Sequence, residues 1–207
     1  MIKAVLFDLD GTLIFSQLAI VRGIENTFLI SGLTPPPVDK ILHSVGFSMV
    51  EAFQFLGFPQ PEKGVAIYRT FFIDHLSEIE LNPDTIFVLE QLQSKGLSLG
   101  VVTNRKHSSR VIDHFALKTY FQTVVDLSRV NNPKPAPDPL LLALRDLKME
   151  KEKVLYVGDS PLDVLAAKEA GVKIACLRGE EEKNSCSPAP DWSITSLTEI
   201  LLILNES

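Results

Sequence analysis

Two cysteines, Cys176 and Cys186, are all that this 207-residue chain carries. They are too few for a disulfide framework and lack the paired spacing of a zinc site, so free thiols in a reducing compartment are expected. Positive charge is scarce as well: 20 Lys and Arg against 26 Asp and Glu leave a net charge of -6. A field of that sign gathers neither nucleic acid nor an anionic membrane surface, which favours a small-molecule partner met by local cations. No uninterrupted apolar stretch is long enough to span a bilayer. Strand-like residues begin almost at Met1, with no basic region, long apolar run and cleavage site ahead of them, so the chain reads as cytoplasmic. The histidines His43, His75, His107 and His114 show no ligand-like pairing, and no internal repeat is visible. What is present, 45% hydrophobic and 22% charged residues, suits one domain with a sizeable core, or a core with a smaller insert.

Short runs rich in valine and leucine recur at 4–7, 97–102, 123–125, 154–157 and 172–177, with helix-like segments at 85–94, 107–115, 138–147 and 161–170 between most of them. This alternation predicts an α/β fold, a Rossmann-like parallel sheet flanked by helices on both faces. Ligands of such sheets bind beyond the carboxyl ends of the strands, where the strand order reverses. The pattern changes over 16–80, where helical segments at 18–30, 38–43, 49–56 and 62–76 are broken by Pro35-Pro36-Pro37, Gly46 and Pro59-Gln60-Pro61. We expect an α/β core of residues 1–15 and 81–207 and a helical insert of 16–80, joined through 13–16 and 79–83. The polar, proline-punctuated stretch 179–190 reads as a surface loop before a last strand at 192–194 and a helix at 197–204.

The first strand runs straight into two aspartates, in Lys3-Ala-Val-Leu-Phe-Asp-Leu-Asp-Gly-Thr-Leu13. An Asp-Gly step alone would make a turn, but that leaves Asp8 unexplained. Asp8 and Asp10, two apart on one strand end, project the same way. Like charges held so close ask for a metal, a proton-transfer role, or both. Two more strands end similarly, in Leu99-Gly-Val-Val-Thr-Asn104 and Val154-Leu-Tyr-Val-Gly-Asp-Ser160. If these neighbour the first strand, Asp8, Asp10, Thr103 and Asp159 converge. Carboxylates without histidine or cysteine select a hard cation, and the octahedral habit of magnesium suits them. In Asn132-Pro-Lys-Pro-Ala-Pro-Asp-Pro139 the prolines flank Lys134 and restrict where its cation can go. Arg105, at the start of a predicted helix, opposes the helix dipole unless an anion sits nearby. Asp163, four residues after Asp159, suits either the first turn of a helix or a supporting place beside a metal.

Taken together these motifs resemble the haloacid dehalogenase superfamily, in its phosphatase branch with a helical cap inserted after the first strand. Asp8-Leu-Asp-Gly-Thr-Leu13 is similar to its first motif, Thr103-Asn104 to its second, Lys134 with Pro-Ala-Pro-Asp-Pro139 to its third, and Gly158-Asp-Ser-Pro-Leu-Asp163 to its fourth. The resemblance implies a magnesium-dependent phosphohydrolase acting on a small phosphorylated metabolite. Asp8 would be the nucleophile that forms an aspartyl phosphate, and Asp10 the acid and base. Thr103 and Asn104 would hold the phosphoryl group, and Lys134 would balance charge; Arg105 is a substrate-binding candidate on its own charge and position. Magnesium would rest on Asp8, the Asp10 backbone carbonyl and Asp159, with Asp163 in support. Within 16–80, Val45-Gly-Phe-Ser-Met49 resembles the specificity loop of phosphoglycolate phosphatases and related pyrophosphatases, which nominates Gly46, Phe47 and Met49 for substrate contact. It lacks the arginine common there in β-phosphoglucomutases, although a mutase shares the aspartyl phosphate. Phe15 stands where relatives often place an aspartate. A response-regulator receiver also gathers aspartates, a hydroxyl and a lysine, but has neither the insert nor the Asp-x-Asp spacing.

Overall fold

In the computed structural model, residues 1–178 and 188–205 are described; Cys186 and most of the stretch expected as a surface loop lie outside them. The chain divides into two compact units, Met1–Ile14 with Leu81–Ser207, and Phe15–Glu80. The first is built on strands β1 (Ala4–Phe7), β4 (Ser98–Val102), β5 (Thr123–Val125), β6 (Val154–Gly158), β7 (Lys173–Leu177) and β8 (Trp192–Ile194). They form a parallel sheet in the order β5-β4-β1-β6-β7-β8. The chain leaves β1 toward one edge and returns to its other side, so the order reverses at β1, where a ligand crevice is expected.

Every residue of β1 and β6 is buried, as a parallel sheet covered on both faces requires. Alternation along the strand puts Ala4 and Leu6 on one face with Tyr156, under helices α7 (Asp138–Leu147) and α8 (Pro161–Ala170), whose Leu140, Ala143, Ala166 and Ala167 complete that layer of the core. Phe7 is level with Val101 on one side and Val157 on the other. The next residues of β1, β4 and β6 therefore emerge side by side, which brings Asp8, Thr103 and Asp159 to one end of the sheet.

Helix α5 (Thr85–Ser94) follows the expected span. Helix α6 (Ser109–His114) is shorter than the predicted 107–115, because His107 takes a left-handed φ of 59°, which a helix cannot include. The expected last helix is a 3-10 turn, Leu197–Glu199, continued as α9 (Ile200–Asn205). The segments read as bare connections contain two short strands, β2 (Ile14–Phe15) and β3 (Glu80–Leu81), which pair as a separate two-stranded sheet. Asn82 donates its side-chain amide to the Thr12 carbonyl, and the Thr85 hydroxyl donates to that of Leu13. These bonds tie the returning chain to the turn after β1.

The Phe15–Glu80 unit consists of α1 (Gln17–Ile30), α2 (Val38–His43), α3 (Met49–Phe55) and α4 (Pro61–Asp74). Its core is aromatic: Phe53 and Phe58 sit edge-on, 5.2 Å between ring centroids, with Phe28, Tyr68 and Phe72 around them. Gly23 lets α1 approach the Tyr68 ring of α4, where a Cβ would collide. Helix α3 opens with a capping box between Ser48 and Glu51. Among the described residues no helix is long and apolar enough to cross a membrane.

Candidate active site

Asp8 follows β1 directly, and its backbone N–H still donates to the Val157 carbonyl of β6. Its side chain is buried beside Asp159 and Asp163, and one ligand atom from each of the three lies within 4.8 Å of the others. Three carboxylates could not gather there unless the turn between them were narrow. Gly11, at φ +86°, stands where a Cβ would land on the Asp159 carboxylate, and a Cβ on Gly158 would meet Asp163. The Thr12 hydroxyl donates to Asp159 Oδ1 at 3.0 Å.

Lys134 is the counter-charge. Its ammonium is buried, 2.6 Å from Asp163 Oδ1 and 2.9 Å from Asp8 Oδ1. The contact to Asp163 is a hydrogen bond; that to Asp8 is an ion pair whose angles fall outside hydrogen-bond geometry. The Lys134 backbone is clipped by Asn104: the Asn104 amide donates to its carbonyl at 2.8 Å and accepts from its N–H at 2.8 Å. The Lys134-Pro135 peptide is cis. Asn104, expected to touch substrate, thus spends its side chain on placing the lysine. Thr103 is buried at the end of β4, its hydroxyl accepting from the Arg105 N–H.

Arg105 does face an anion, but that anion is Asp10. The guanidinium grips the carboxylate through Nε and Nη2, at 2.8 Å and 2.5 Å, in the bidentate geometry that suits this pair. The argument from a helix dipole does not apply, since α6 begins only at Ser109. Gly46, Phe47 and Met49 belong to the Phe15–Glu80 unit, at the turn leading into α3; Phe47 packs edge-on against Phe55 there, 5.9 Å between centroids.

Two residues that the sequence reading missed help to build the site. Tyr156, inside β6, donates its hydroxyl to Asp163 Oδ1 at 2.7 Å and accepts from Lys134 at 3.0 Å. Asp126, just after β5, accepts from the backbone N–H and hydroxyl of both Ser108 and Ser128, which pins the loop that follows Thr103. Asp126 carries the same signal as Asp8 and Asp159, a carboxylate closing a buried strand. Tyr156 shows none beyond a hydroxyl within an apolar run.

The charges do not balance. Burial pushes the Asp8 carboxyl up to about 7, with the Lys134 ammonium pulling against it. Burial, then the Asp163 and Asp8 charges, push Asp159 well above the carboxylate range. Burial also opposes the charge on Asp163, but Lys134 and hydrogen bonds from Lys134, Ser160 and Tyr156 outweigh it and hold Asp163 below its usual value. One lysine among three carboxylates, two of them buried and Asp159 partly exposed, leaves room for a cation, and an all-oxygen donor set fits magnesium. Asp163 fits such an ion least well as a direct ligand. Its Oδ1 already accepts from Lys134 and Tyr156, and its Oδ2 from the Ser160 N–H and hydroxyl and the Asp159 N–H, which exhausts the lone pairs of a carboxylate.

A pH dependence of stability follows. A carboxyl titrating near 7 when folded and near 3.8 when unfolded binds more protons in the folded state between those values, so stability falls as pH rises through that window. Asp159 shares this sign. Asp163 has the opposite one, and its contribution is lost only as pH falls below 3.8. In chelator, the Tm should therefore decline between pH 5 and pH 8, and magnesium should recover it at pH 8. A Tm that climbs across that window would contradict the arrangement.

A family model described as haloacid dehalogenase-like hydrolase matches residues 5–177. The chain is 30% identical to the pyrophosphatase PpaX of Bacillus pumilus over 210 residues, covering 98% of this chain and 96% of that one. It is 31% identical to a phosphoglycolate phosphatase of Aquifex aeolicus over 208 residues, with 98% and 97% covered. A solved haloacid dehalogenase-superfamily hydrolase of subfamily IA from Geobacter sulfurreducens superposes with a TM-score of 0.79 at 25% identity, over 98% of this chain and all of that one.

Proposed function

This chain belongs to the haloacid dehalogenase-like hydrolases, and from that premise we propose that it is a magnesium-dependent phosphatase of a small phosphorylated metabolite, working in the cytoplasm through a phosphorylated Asp8. The observation that carries the proposal is Asp8 itself: a buried carboxylate at the switch point of the sheet, beside one ammonium and two further carboxylates. Asp8 and Asp159, with the Asp10 backbone carbonyl, would hold magnesium, and Asp163 would support them through its hydrogen bonds. The ion would supply charge neutralisation for an anionic substrate against an acidic site.

The chain's own residues account for the rest. An Asp8 oxygen forms the bond to phosphorus as the bond to the leaving oxygen breaks, and the leaving oxygen takes a proton from Asp10. Asp10 then accepts a proton from the water that opens the acyl phosphate. Thr103 offers its hydroxyl to the transferring group, Lys134 offsets its charge, and Asn104 keeps Lys134 in place. Arg105 orients Asp10 until a substrate anion competes for the guanidinium. We assign substrate choice to the Phe15–Glu80 unit acting as a cap, with Gly46, Phe47 and Met49 as its contact residues. The named relatives favour phosphoglycolate and pyrophosphate as the substrates to try first.

The test is phosphate release from a panel that includes both compounds, alkyl and aryl phosphates and sugar phosphates. Activity is expected with magnesium and none after thorough chelation, with calcium inhibiting. Calcium takes more oxygen ligands at longer distances and would recruit both Asp8 oxygens, turning the nucleophile out of line. Undiminished activity in chelator, or equal activity with calcium, would refute the site as drawn.

A further inference from the structure

Arg105 has a fixed backbone and a long side chain that ends on Asp10. Its N–H donates to the Thr103 hydroxyl, and both the N–H and the hydroxyl of Ser108, three residues on, donate to Asp126 Oδ2. The loop is therefore pinned on either side of Arg105. Its guanidinium reaches Asp10, 95 positions earlier in the chain, and takes both carboxylate oxygens through Nε and Nη2. The Arg105 and Asp10 side chains keep only 12% and 15% of their exposure. Little water solvates this pair, so a guanidinium drawn away from Asp10 must meet another anion.

What Asp10 does in the proposed mechanism places that guanidinium relative to the substrate. An Asp10 oxygen must come within hydrogen-bond reach of the leaving oxygen, about 3 Å, and the Arg105 nitrogens lie 2.8 Å and 2.5 Å from the Asp10 oxygens. The guanidinium is then no more than about 6 Å from the leaving oxygen. A carboxylate one carbon beyond the leaving oxygen, or a phosphate built directly on it, sets its own oxygens about 3 Å along that path by ordinary bond lengths. One hydrogen bond closes the gap. We propose that Arg105 is a specificity-determining residue that reads the leaving group, selecting phosphate esters and anhydrides whose leaving group carries an anion next to the bond that breaks. The substrate anion shares the guanidinium with Asp10, in the fork geometry that suits carboxylate and phosphate alike. A neutral leaving group offers Arg105 nothing and meets an Asp10 still gripped on both oxygens. Part of substrate choice thus belongs to the core, at the loop after β4, and phosphoglycolate and pyrophosphate both fall within the class.

The inference rests on the phosphatase reading of Asp8 and Asp10, and its test separates the two. Two substrate pairs isolate the charge: phosphoglycolate against phosphoglycolamide, in which an amide replaces the carboxylate, and pyrophosphate against ethyl phosphate. Steady-state phosphate release with magnesium gives kcat/KM for each. Arg105→Gln also loosens Asp10 and should slow every substrate, so the ratio within a pair decides. That ratio should fall by about tenfold to a hundredfold in the variant, the scale of a hydrogen bond to a charged group. The anionic member should lose in KM as well as kcat, the neutral member in kcat alone, because only the former loses a binding partner. Arg105→Met, of similar length and without charge, provides the second variant if Arg105→Gln folds poorly, and should lower the ratio likewise. Equal losses for both members of each pair would show that Arg105 serves Asp10 or the transferring phosphoryl alone; the inference would fall while the phosphatase reading stood. A wild-type protein that cleaves other phosphate esters but prefers neither anionic compound to its partner would overturn it too. Release of phosphate from no compound tried would instead overturn the phosphatase reading, and this inference with it.

Discussion

Asp8→Asn should leave a folded protein whose turnover is lowered by about 10^4-fold or more, the scale for removing a covalent nucleophile. An amide has nearly the shape of a carboxylate but is a poor nucleophile and a neutral, weaker ligand. The fold should tolerate the change, because the carboxylate being replaced contributes no hydrogen bond through Oδ1 and carries a charge that burial already disfavours. In chelator at pH 8 the variant should melt no lower than wild type, since it removes a buried carboxylate from a cluster of three that repel one another. The same substitution should weaken magnesium binding. Phosphate release, circular dichroism and a mass check against deamidation decide the matter; appreciable turnover in the folded, unmodified variant would end the nucleophile assignment.

How much of this was legible beforehand depends on whether a feature is local. The strands at 4–7 and 123–125 and the helices at 85–94, 138–147 and 161–170 lie where the apolar pattern put them, because each has a full period of buried residues and a clear stop; the strand at 192–194 also lies where expected, although only Ile194 of it is buried. Helix α8 carries its start signal in its own sequence, with Ser160 and Asp163 in a capping box and Pro161 between them. Strands β2 and β3 are two residues each, too short for any period to register. The convergence of Asp8, Thr103 and Asp159 could be expected from strand ends, since a parallel sheet aligns them.

Side-chain partnerships across the fold were not legible. Asn104 and Lys134 are 30 residues apart, and Arg105 and Asp10 are 95 apart; nothing in either stretch announces its partner. The side chain of Asn104, read as facing substrate, bonds the Lys134 backbone on both sides. Asp163 shows a further limit. Its sequence position suits both a helix cap and a metal site, and in the structure the capping bonds from Ser160, together with Lys134 and Tyr156, are what keep it ionised. The cap fixes its direction, and that direction lets it restrain the lysine. One carboxylate thereby serves local structure and the site at once, which sequence pattern alone presents as alternatives.

Asp10→Asn is the second large effect, and it should separate the two half-reactions that Asp8→Asn removes together. In the proposed mechanism Asp10 gives a proton to the leaving oxygen and later takes one from water, so both steps should slow, by about 10^2- to 10^4-fold for a group in this role. The losses should not be equal across substrates. A phenolate leaves with little protonation, so transfer to Asp8 should survive better from an aryl phosphate than from an alkyl phosphate, whereas opening of the acyl phosphate needs the base whichever substrate supplied it. Given an aryl phosphate, the variant should therefore accumulate protein heavier by one phosphoryl group, visible by intact-protein mass spectrometry after acid quench. Arg105 sharpens the expectation. It grips both Asp10 oxygens, so the side chain is already oriented before substrate arrives, and asparagine retains one of the two acceptors and much of that orientation. Loss of activity then reports the missing proton transfer more than a displaced side chain. Normal turnover of alkyl phosphates by Asp10→Asn would exclude the acid and base role; slow turnover with no phosphorylated protein from the aryl substrate would place the defect in the first step alone.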